Sequence, residues 1–394
     1  MKENPWLLPA GIDEVLPQEA RQLESLRRKL LDLYDSWGYE LVIPPMIEYL
    51  ESLLTGTGSD LDLQTFKLVD QLNGRMMGVR ADMTPQVARI DARRLATEAP
   101  TRLCYMGTVL HTRPDGFAGS RSPYQVGAEL YGHAGPQSDA EILSLLLETL
   151  RATGINDIYL DLGHVGIFRG LSRQIGLSVE QETQLFDMLQ RKALPEIDAY
   201  LRELDVKQGF KKMLSALASL NGDAGVLDAA RKTLKPAGKT VLGLIDYLEE
   251  VASELERRAP GIPVHYDLAE LRGYRYQTGI VFAAFVPGYG QEIARGGRYD
   301  DIGVVFGRAR PATGFSTDLR SLIKLGAATV GRRPAVLAPA DADESLVAAV
   351  RQLRAAGERV VHELTGQRGS AADLGCDRRL LRKNGQWVVV SITK

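Results

Sequence analysis

The chain reads as an α+β protein: an antiparallel sheet core flanked by helices, carrying a helical insertion and ending in a small α/β unit. Three observations predict this. Strand-like runs between residues 40 and 166 and again after residue 261 follow one another as hairpins, without regular βαβ alternation and with no GxGxxG after the first strand, which argues against a doubly wound dinucleotide fold. The stretch 167–260 switches to leucine-rich helical periodicity, as in "LDAARKTLKPAGKTVLGLIDYLEEVASELERRA". The tail, 332–394, returns to mixed strand and helix patterns. The expected organisation is therefore a core made of residues 1–166 and 261–328, an insertion at 167–260 and a C-terminal unit at 332–394.

Taken in order, "EARQLESLRRKLLDLYDSWGYE" places Leu23, Leu26, Leu30, Leu33 and Tyr34 on one helical face and ends at Gly38. "LVIPPMIEY" is a short strand halted by Pro44 and Pro45. "TFKLVDQLNGRMMGVRADMTP" is a hairpin turning at Asn73-Gly74. "MTPQVARIDARRLA" is a helix with Thr84 as cap and Pro85 in the first turn. "TRLCYMGTVLH" and "SPYQVGAELYG" are strands flanking the loop "TRPDGFAGSR", and "SDAEILSLLLETLRATG" is an amphipathic helix capped by Ser138. After the strand "DIYLDLGHV" and the helical stretch come strands "VHYDLAEL", "GYRYQTGIVFAAFVP" and "QEIARGGRYD", then the helix "STDLRSLIKLG". In the tail, "AVLAPA", "RVVHEL" and "QWVVVSI" read as strands, "ESLVAAVRQLRAAG" as a helix, and "RRLLRK" as a solvated helix face.

Composition narrows the class. The chain has 394 residues, 44% hydrophobic and 25% charged, with a net charge of −2, so no overall basic field points to nucleic acid. Its two cysteines, Cys104 and Cys376, lie far apart without a CxxC, which disfavours a disulfide scaffold or zinc site and fits a reducing cytoplasm. The five histidines are scattered, and no metal site is expected. No stretch resembles a signal peptide or a membrane span, so a cytoplasmic protein is expected.

Chemistry concentrates on three polar groups. In "SPYQVGAELYG", Val126, Ala128 and Leu130 fall on one strand face; Gln125, Gly127, Glu129 and Tyr131 fall on the other. The glycine leaves a gap beside an amide and a carboxylate. In "VRADMT", Asp82 and Thr84 stand where a strand end meets a helix N-terminus. In "LRGYRYQTG", read as a strand, Arg272, Tyr274 and Tyr276 share one face. Buried polar groups need partners, so these residues either satisfy one another or converge on a ligand. Asp82, Gln125 and Glu129 suit an ammonium and a ring N–H, and Arg272 suits a carboxylate. Together they suit an α-amino acid with a polar side chain. "ARGGRYDDIG" marks a close backbone approach or a bulge.

The order of these pieces resembles the core of a class II aminoacyl-tRNA synthetase, specifically histidyl-tRNA synthetase, over about residues 5–325. "GYELVIPPMIEY" is similar to the first class motif, which lies in a dimer interface. "GTVLHTRPDGFAGSRSPYQVGAELYG" resembles the second, "RGGRYDDIGVVFGRARPATGFSTDLRSL" the third, and "LRGYRYQTGIVF" the histidine-recognition segment. The resemblance implies that Gln125 and Glu129 hold histidine, that Asp82 and Thr84 take its amino group, that Arg272 lies over its carboxylate and that Tyr276 lines the imidazole. Gln277 stands where the family has a second tyrosine.

The phosphate side departs from the pattern. Where the family has its ATP-binding arginines, this chain has His111 in the second motif and Ser321 in the third, and the neighbouring glutamates are replaced by Arg113 and Arg320. Loss of one group aimed at transition-state charge costs on the order of a hundred- to thousandfold in rate. A retained histidine site without the ATP apparatus resembles the regulatory subunit of ATP phosphoribosyltransferase. The resemblance implies a non-catalytic chain without cofactor, a short-form catalytic subunit as partner, L-histidine as feedback effector, and a homodimer within a hetero-oligomer. An active histidyl-tRNA synthetase and a pseudo-synthetase RNA-binding module are the rivals; the neutral charge and shortened tail weigh against both.

Overall fold

In the computed structural model, which describes residues 6–54, 59–114, 119–271, 273–274, 276–326, 331, 333–341 and 343–392, the first periodic run forms helix α1 (Pro17–Ser36). Leu26, Leu30 and Tyr34 are its buried face, and Gly38 at φ +77° ends it. Strands β1 (Glu40–Leu41) and β2 (Ile47–Tyr49) follow on either side of Pro44-Pro45, which supply no ladder N–H. Two short helices, α2 (Leu50–Leu54) and α3 (Ser59–Gln64), lead to the hairpin β3 (Phe66–Val69) and β4 (Met76–Val79). These form a small antiparallel sheet in the order β2-β4-β3.

Next come α4 (Thr84–Ile90), continued by a π-helical turn at Asp91–Leu95, and strands β5 (Thr101–Thr108) and β6 (Tyr124–Tyr131). Helix α5 (Pro136–Ala152) and strand β7 (Tyr159–His164) complete the first half. Six helices then follow: α6 (Val165–Ile175), α7 (Val179–Gln190), α8 (Leu194–Glu203), α9 (Gln208–Leu217), α10 (Gly225–Leu234) and α11 (Lys239–Arg258). Between α9 and α10 lies β8 (Asn221–Gly222), two residues long. The chain returns through β9 (Val264–Asp267), β10 (Ile280–Phe285), β11 (Ala294–Arg298) and β12 (Ala312–Asp318) to α12 (Leu319–Leu325).

The main sheet runs β1-β5-β6-β12-β11-β10-β7-β9-β8. From β5 to β7 every neighbour is antiparallel; β1 pairs with β5, and β9 with β7, in parallel. Alternation along β6 sends Val126, Ala128 and Leu130 into a core shared with α1, α5 and the helices α6–α11. The opposite face carries Leu103, Tyr105, Tyr131 and Ala312 under Met83, which precedes α4, under Val87 and Ala88 of α4 and under Ile302 and Phe306 of a 3₁₀ turn. The two faces thus divide labour: one is apolar support, the other bears the polar groups.

Four local readings are corrected. Thr84 does not cap α4. It is the first helical residue, and Asp82 accepts its backbone N–H at 3.0 Å. Ser138 lies inside α5, where its hydroxyl donates back to the Gly135 carbonyl at 2.7 Å. Residues 273, 274 and 276 lie in turns rather than a strand: Gly273 has φ +64° and its carbonyl accepts from the N–H groups of Tyr276 and Gln277. Ser316-Thr317-Asp318 end strand β12 rather than begin a helix, and the Asp318 carboxylate caps α12.

The chain divides into two compact units at 328/329. Within the second, β13 (Ala335–Ala338), α13 (Glu344–Ala355), β14 (Val360–His362), β15 (Cys376–Lys383) and β16 (Gln386–Ser391) make a sheet in the order β14-β13-β15-β16. Leu346 and Val350 of α13 pack on Val336, Ala338, Val360 and Leu380. "RRLLRK" is therefore strand β15 and not a helix face. Asn384 and Gly385, at φ +48° and +78°, turn it tightly into β16.

One buried ion pair ties β11 to α5. Arg298 donates to both oxygens of Asp139 at 3.1 and 2.9 Å, and the two side chains are 5% and 0% exposed. Asp139 also accepts from the Tyr247 hydroxyl of α11 at 2.6 Å. Asp139→Ala leaves Arg298 with only Asp300 as a charged partner. It is expected to lower the unfolding free energy by about 3 kcal/mol, read from denaturant melts, with Tyr247→Phe costing about 1 kcal/mol. A melt of Asp139→Ala that matches the parent would contradict the pairing.

Candidate functional site

The site forms where β5, β6, β12 and the end of β11 lie side by side. Glu129 on β6 is 1% exposed. Its neighbours across the sheet are Leu103 on β5 and Gly314 on β12. A Cβ at Gly314 would stand 1.5 Å from Glu129 Oε2, so only glycine leaves room for the carboxylate. Tyr105 donates to Oε1 at 2.9 Å, and Tyr299 donates to Oε2. Burial pushes the Glu129 carboxyl up to about 8; the two phenols oppose that rise, and the Asp82 charge adds to it.

The gap at Gly127 now has an occupant. Gly127 lies opposite Tyr105, and a Cβ there would meet the Tyr105 hydroxyl at 2.3 Å. The space that pointed to a ligand is filled by the chain's own phenol. Tyr105 spends its single proton on Glu129, so Thr84 Oγ1, 2.8 Å away, donates to the phenol oxygen.

Asp82 and Gln125 meet as the sequence suggested. Gln125 Nε2 donates to Asp82 Oδ1 at 2.7 Å, while its Oε1 accepts the Met83 N–H at 2.9 Å. This fixes the amide's orientation and joins the entry to α4 to strand β6. Asp82, Thr84, Gln125 and Glu129 thus form one network through Tyr105.

Tyr276 stacks on Tyr299, with ring centroids 5.0 Å apart and planes 27° apart. Its hydroxyl is buried and has no hydrogen-bond partner among the described residues; the same holds for Gln277 Oε1. Gln277 lies over Gly297, on the strand beside Gly314. Tyr274 does not join them. It turns away and packs on Phe168 and Phe186. Arg272 lies outside the described residues.

Tyr105 and Tyr299 were missed as site residues, although both left a signal. Tyr105 shares alternation with Leu103 on a strand next to β6, and Tyr299 sits in the double-glycine segment "ARGGRYD". Pairing register was needed to aim either at Glu129. Arg298 in that segment serves structure, through Asp139.

At the phosphate-side positions the residues are committed to the fold. His111 Nε2 lies 2.9 Å from the Ala81 carbonyl, and its Nδ1 is buried without a partner among the described residues. The guanidinium beside it, Arg121, donates to the carbonyls of His111 and Ala10. Ser321 donates its backbone N–H and its hydroxyl to Asp318, as part of the cap of α12. Arg113 is exposed, and Arg320 is buried 3.7 Å from Glu19. Among the described residues no group of His, Cys, Asp and Glu is arranged to hold a metal ion, and no helix is long and apolar enough to cross a membrane. What the site offers is acceptor-rich: two carboxylates, an amide and two unpaired oxygens, suited to a ligand with N–H donors. Among the described residues it contains no nucleophile paired with a base.

This sheet and this polar cluster define a class II synthetase-type core of the histidyl-tRNA synthetase kind. Residues 11–322 match the family model described as histidyl-tRNA synthetase, and residues 333–390 match that of the ATP phosphoribosyltransferase subunit HisZ C-terminal domain. The chain belongs to the family of ATP phosphoribosyltransferase regulatory subunits. It is 63% identical to the protein of that name from Thioalkalivibrio sulfidiphilus over 99% of both chains. It is 60% identical to that from Alkalilimnicola ehrlichii over 98% of this chain and 97% of the relative. Among solved structures, it resembles an ATP phosphoribosyltransferase regulatory subunit/histidyl-tRNA synthetase from Bacillus halodurans, at TM-score 0.83 and 26% identity over 94% of this chain and 96% of that one. The histidyl-tRNA synthetase from Nostoc shares the fold at TM-score 0.78 and 21% identity over 99% and 97%. The role is regulatory rather than catalytic.

The raised Glu129 carboxyl sets a pH dependence. The folded chain holds this proton up to about pH 8, whereas an unfolded chain releases it near 4.5. Between those values the native state binds more protons, so this group's contribution falls as pH rises. Glu129→Gln should flatten the fall in melting temperature between pH 5 and 8; parallel profiles for parent and variant would contradict a buried, proton-holding Glu129.

Proposed function

We propose that this chain is the histidine sensor of an ATP phosphoribosyltransferase. It joins a short-form catalytic subunit that makes phosphoribosyl-ATP from ATP and phosphoribosyl pyrophosphate, is required for that subunit's activity, and lowers it when L-histidine binds. One observation carries the reading: the amino-acid side of a synthetase site is kept while the phosphate side is not. Asp82, Thr84, Gln125 and Glu129 form one network, with Thr84 and Glu129 buried, Asp82 and Gln125 half-buried, and Tyr276 and Gln277 beside it. Asp82 receives the ligand's ammonium together with Thr84, Arg272 its carboxylate, and Glu129, Tyr276 and Gln277 its imidazole. His111 and Ser321 stand where two guanidiniums would have to meet the α-phosphate.

Feedback requires that histidine bind the inhibited form of the complex better than the active one. A coupling of about 1–3 kcal/mol, roughly five- to 150-fold in affinity, suffices. The chain also pairs with a second copy within the hetero-oligomer. Leu41, Ile43, Met46 and Ile47 follow one another through β1 and β2 with large exposed apolar side chains, Ile43 at 80%, in the segment that resembles the first class motif.

Two measurements test this. Histidine-dependent exchange of pyrophosphate into ATP by the chain alone should be absent from a sample that binds histidine; exchange would make it a synthetase. In the reconstituted complex, Glu129→Ala should raise the half-inhibiting histidine concentration by roughly ten- to a hundredfold, since a donor on the ligand loses its buried acceptor. An unshifted inhibition curve would remove Glu129 from the effector site.

A further inference from the structure

The turn that brings Tyr276 and Gln277 to the site is gripped from its other side by the helices that follow β7. Arg169 on α6 donates through Nη2 to the carbonyls of Tyr274 and Gln277, at 2.7 and 3.1 Å. Its guanidinium also lies over the Tyr274 ring, 4.7 Å from the centroid. Tyr274 packs between Phe168 of α6 and Phe186 of α7, with centroids 5.5 and 5.2 Å away, and its hydroxyl donates to Glu182 of α7. Within this one turn, Tyr276 and Gln277 face Tyr299 and Gly297, while Tyr274 faces α6 and α7.

The two sides are chemically unequal. On the helix side the polar groups are paired: one guanidinium satisfies two carbonyls, and a phenol meets a carboxylate. On the site side Tyr276 Oη and Gln277 Oε1 are buried without partners among the described residues. Such groups gain most from a ligand that supplies their hydrogen bonds, because their desolvation is already incurred in the unliganded state. A ligand pulling on this side of so short a turn also loads the other side.

We propose that Arg169, Tyr274 and Glu182 are positioning residues for the effector site, and that through them α6 and α7 respond to its occupancy. The proposal rests on the sensor reading above. None of the three touches the Glu129 network in the structure; they act on the ligand through the backbone that carries Tyr276 and Gln277. The helix pair is thereby the element through which the site reaches the rest of the molecule.

The test uses the full chain, with L-histidine as probe. Affinity is measured calorimetrically for the parent and for Arg169→Leu, Arg169→Lys, Tyr274→Phe and Glu129→Ala, alongside amide hydrogen exchange of residues 165–190 with and without saturating histidine. Histidine should slow exchange across α6 and α7 in the parent. Arg169→Leu should bind roughly tenfold more weakly and lose that protection even when saturated, with Arg169→Lys restoring part of both. Tyr274→Phe, which removes only a hydroxyl and keeps the packing, should bind roughly threefold more weakly. Parent-like affinity in Arg169→Leu and Tyr274→Phe overturns the proposal. So does α6–α7 protection that persists in saturated Arg169→Leu, or weakened binding that lysine does not restore. If instead Glu129→Ala binds histidine as the parent does, it is the sensor reading that falls, whatever the Arg169 variants show.

Discussion

A carboxylate at the centre of a nine-stranded sheet is an expense that the surrounding strands are organised to meet. Glu129 is buried and receives a phenol from each side, Tyr105 from β5 and Tyr299 from beyond β11. Neither contact is possible without missing side chains. Gly127 clears the path for Tyr105, and Gly314 clears the space for the carboxylate itself. Unpartnered, the buried group would cost several kcal/mol; with two phenols and the option of holding its proton, that cost falls to what a large sheet can carry. The apolar face of the same strands, packed on α5 and its neighbours, supplies the rigidity that keeps the four strands in register.

Much of this was legible as pattern. Period-2 alternation in "QVGAELY" separated the apolar from the polar face, and the same reading put Asp82 and Thr84 at the junction of a strand with α4. What pattern does not carry is which strand lies next to which. Tyr105 and Tyr299 are far from Glu129 in sequence, and only the order β5-β6-β12-β11 aims both at it. The missed strand β15 has a similar origin. Basic residues occupy four of the six positions of "RRLLRK" and hide the alternation that Leu380 reveals once it is buried under α13, while Asn384-Gly385, the hairpin signal, follows directly. Thr84 was misassigned because a threonine before proline is a common cap. Here Asp82 takes that task and frees the hydroxyl for Tyr105.

Positions 111 and 321 show how completely polar side chains can be committed to the fold. A serine at position 321 is not a neutral vacancy. Its N–H and hydroxyl both bind Asp318 and help start α12, which an arginine there would do only through its backbone. His111 leans on the Ala81 carbonyl beside the strand that leads to Asp82. His111 and Ser321 are thus both absorbed into local structure, and Arg121 is likewise turned to backbone carbonyls.

A sensor must differ from an enzyme in where its binding energy goes. An enzyme spends it on the transition state; a sensor spends it on the difference between two conformations of its own chain. The Glu129 network already holds its internal hydrogen bonds without ligand, so it is poorly suited to be the part that changes: those bonds exist in both states and largely cancel. The turn that carries Gly273, Tyr276 and Gln277 is different. It presents unpaired oxygens inward and paired, ring-packed groups outward, so occupancy alters its balance more than that of any strand in the site. Rigid strands to recognise the ligand and a turn to register its arrival place specificity and response in adjacent but separate pieces of the chain. That division would let one synthetase-type scaffold keep a rigid recognition surface and still register what it holds.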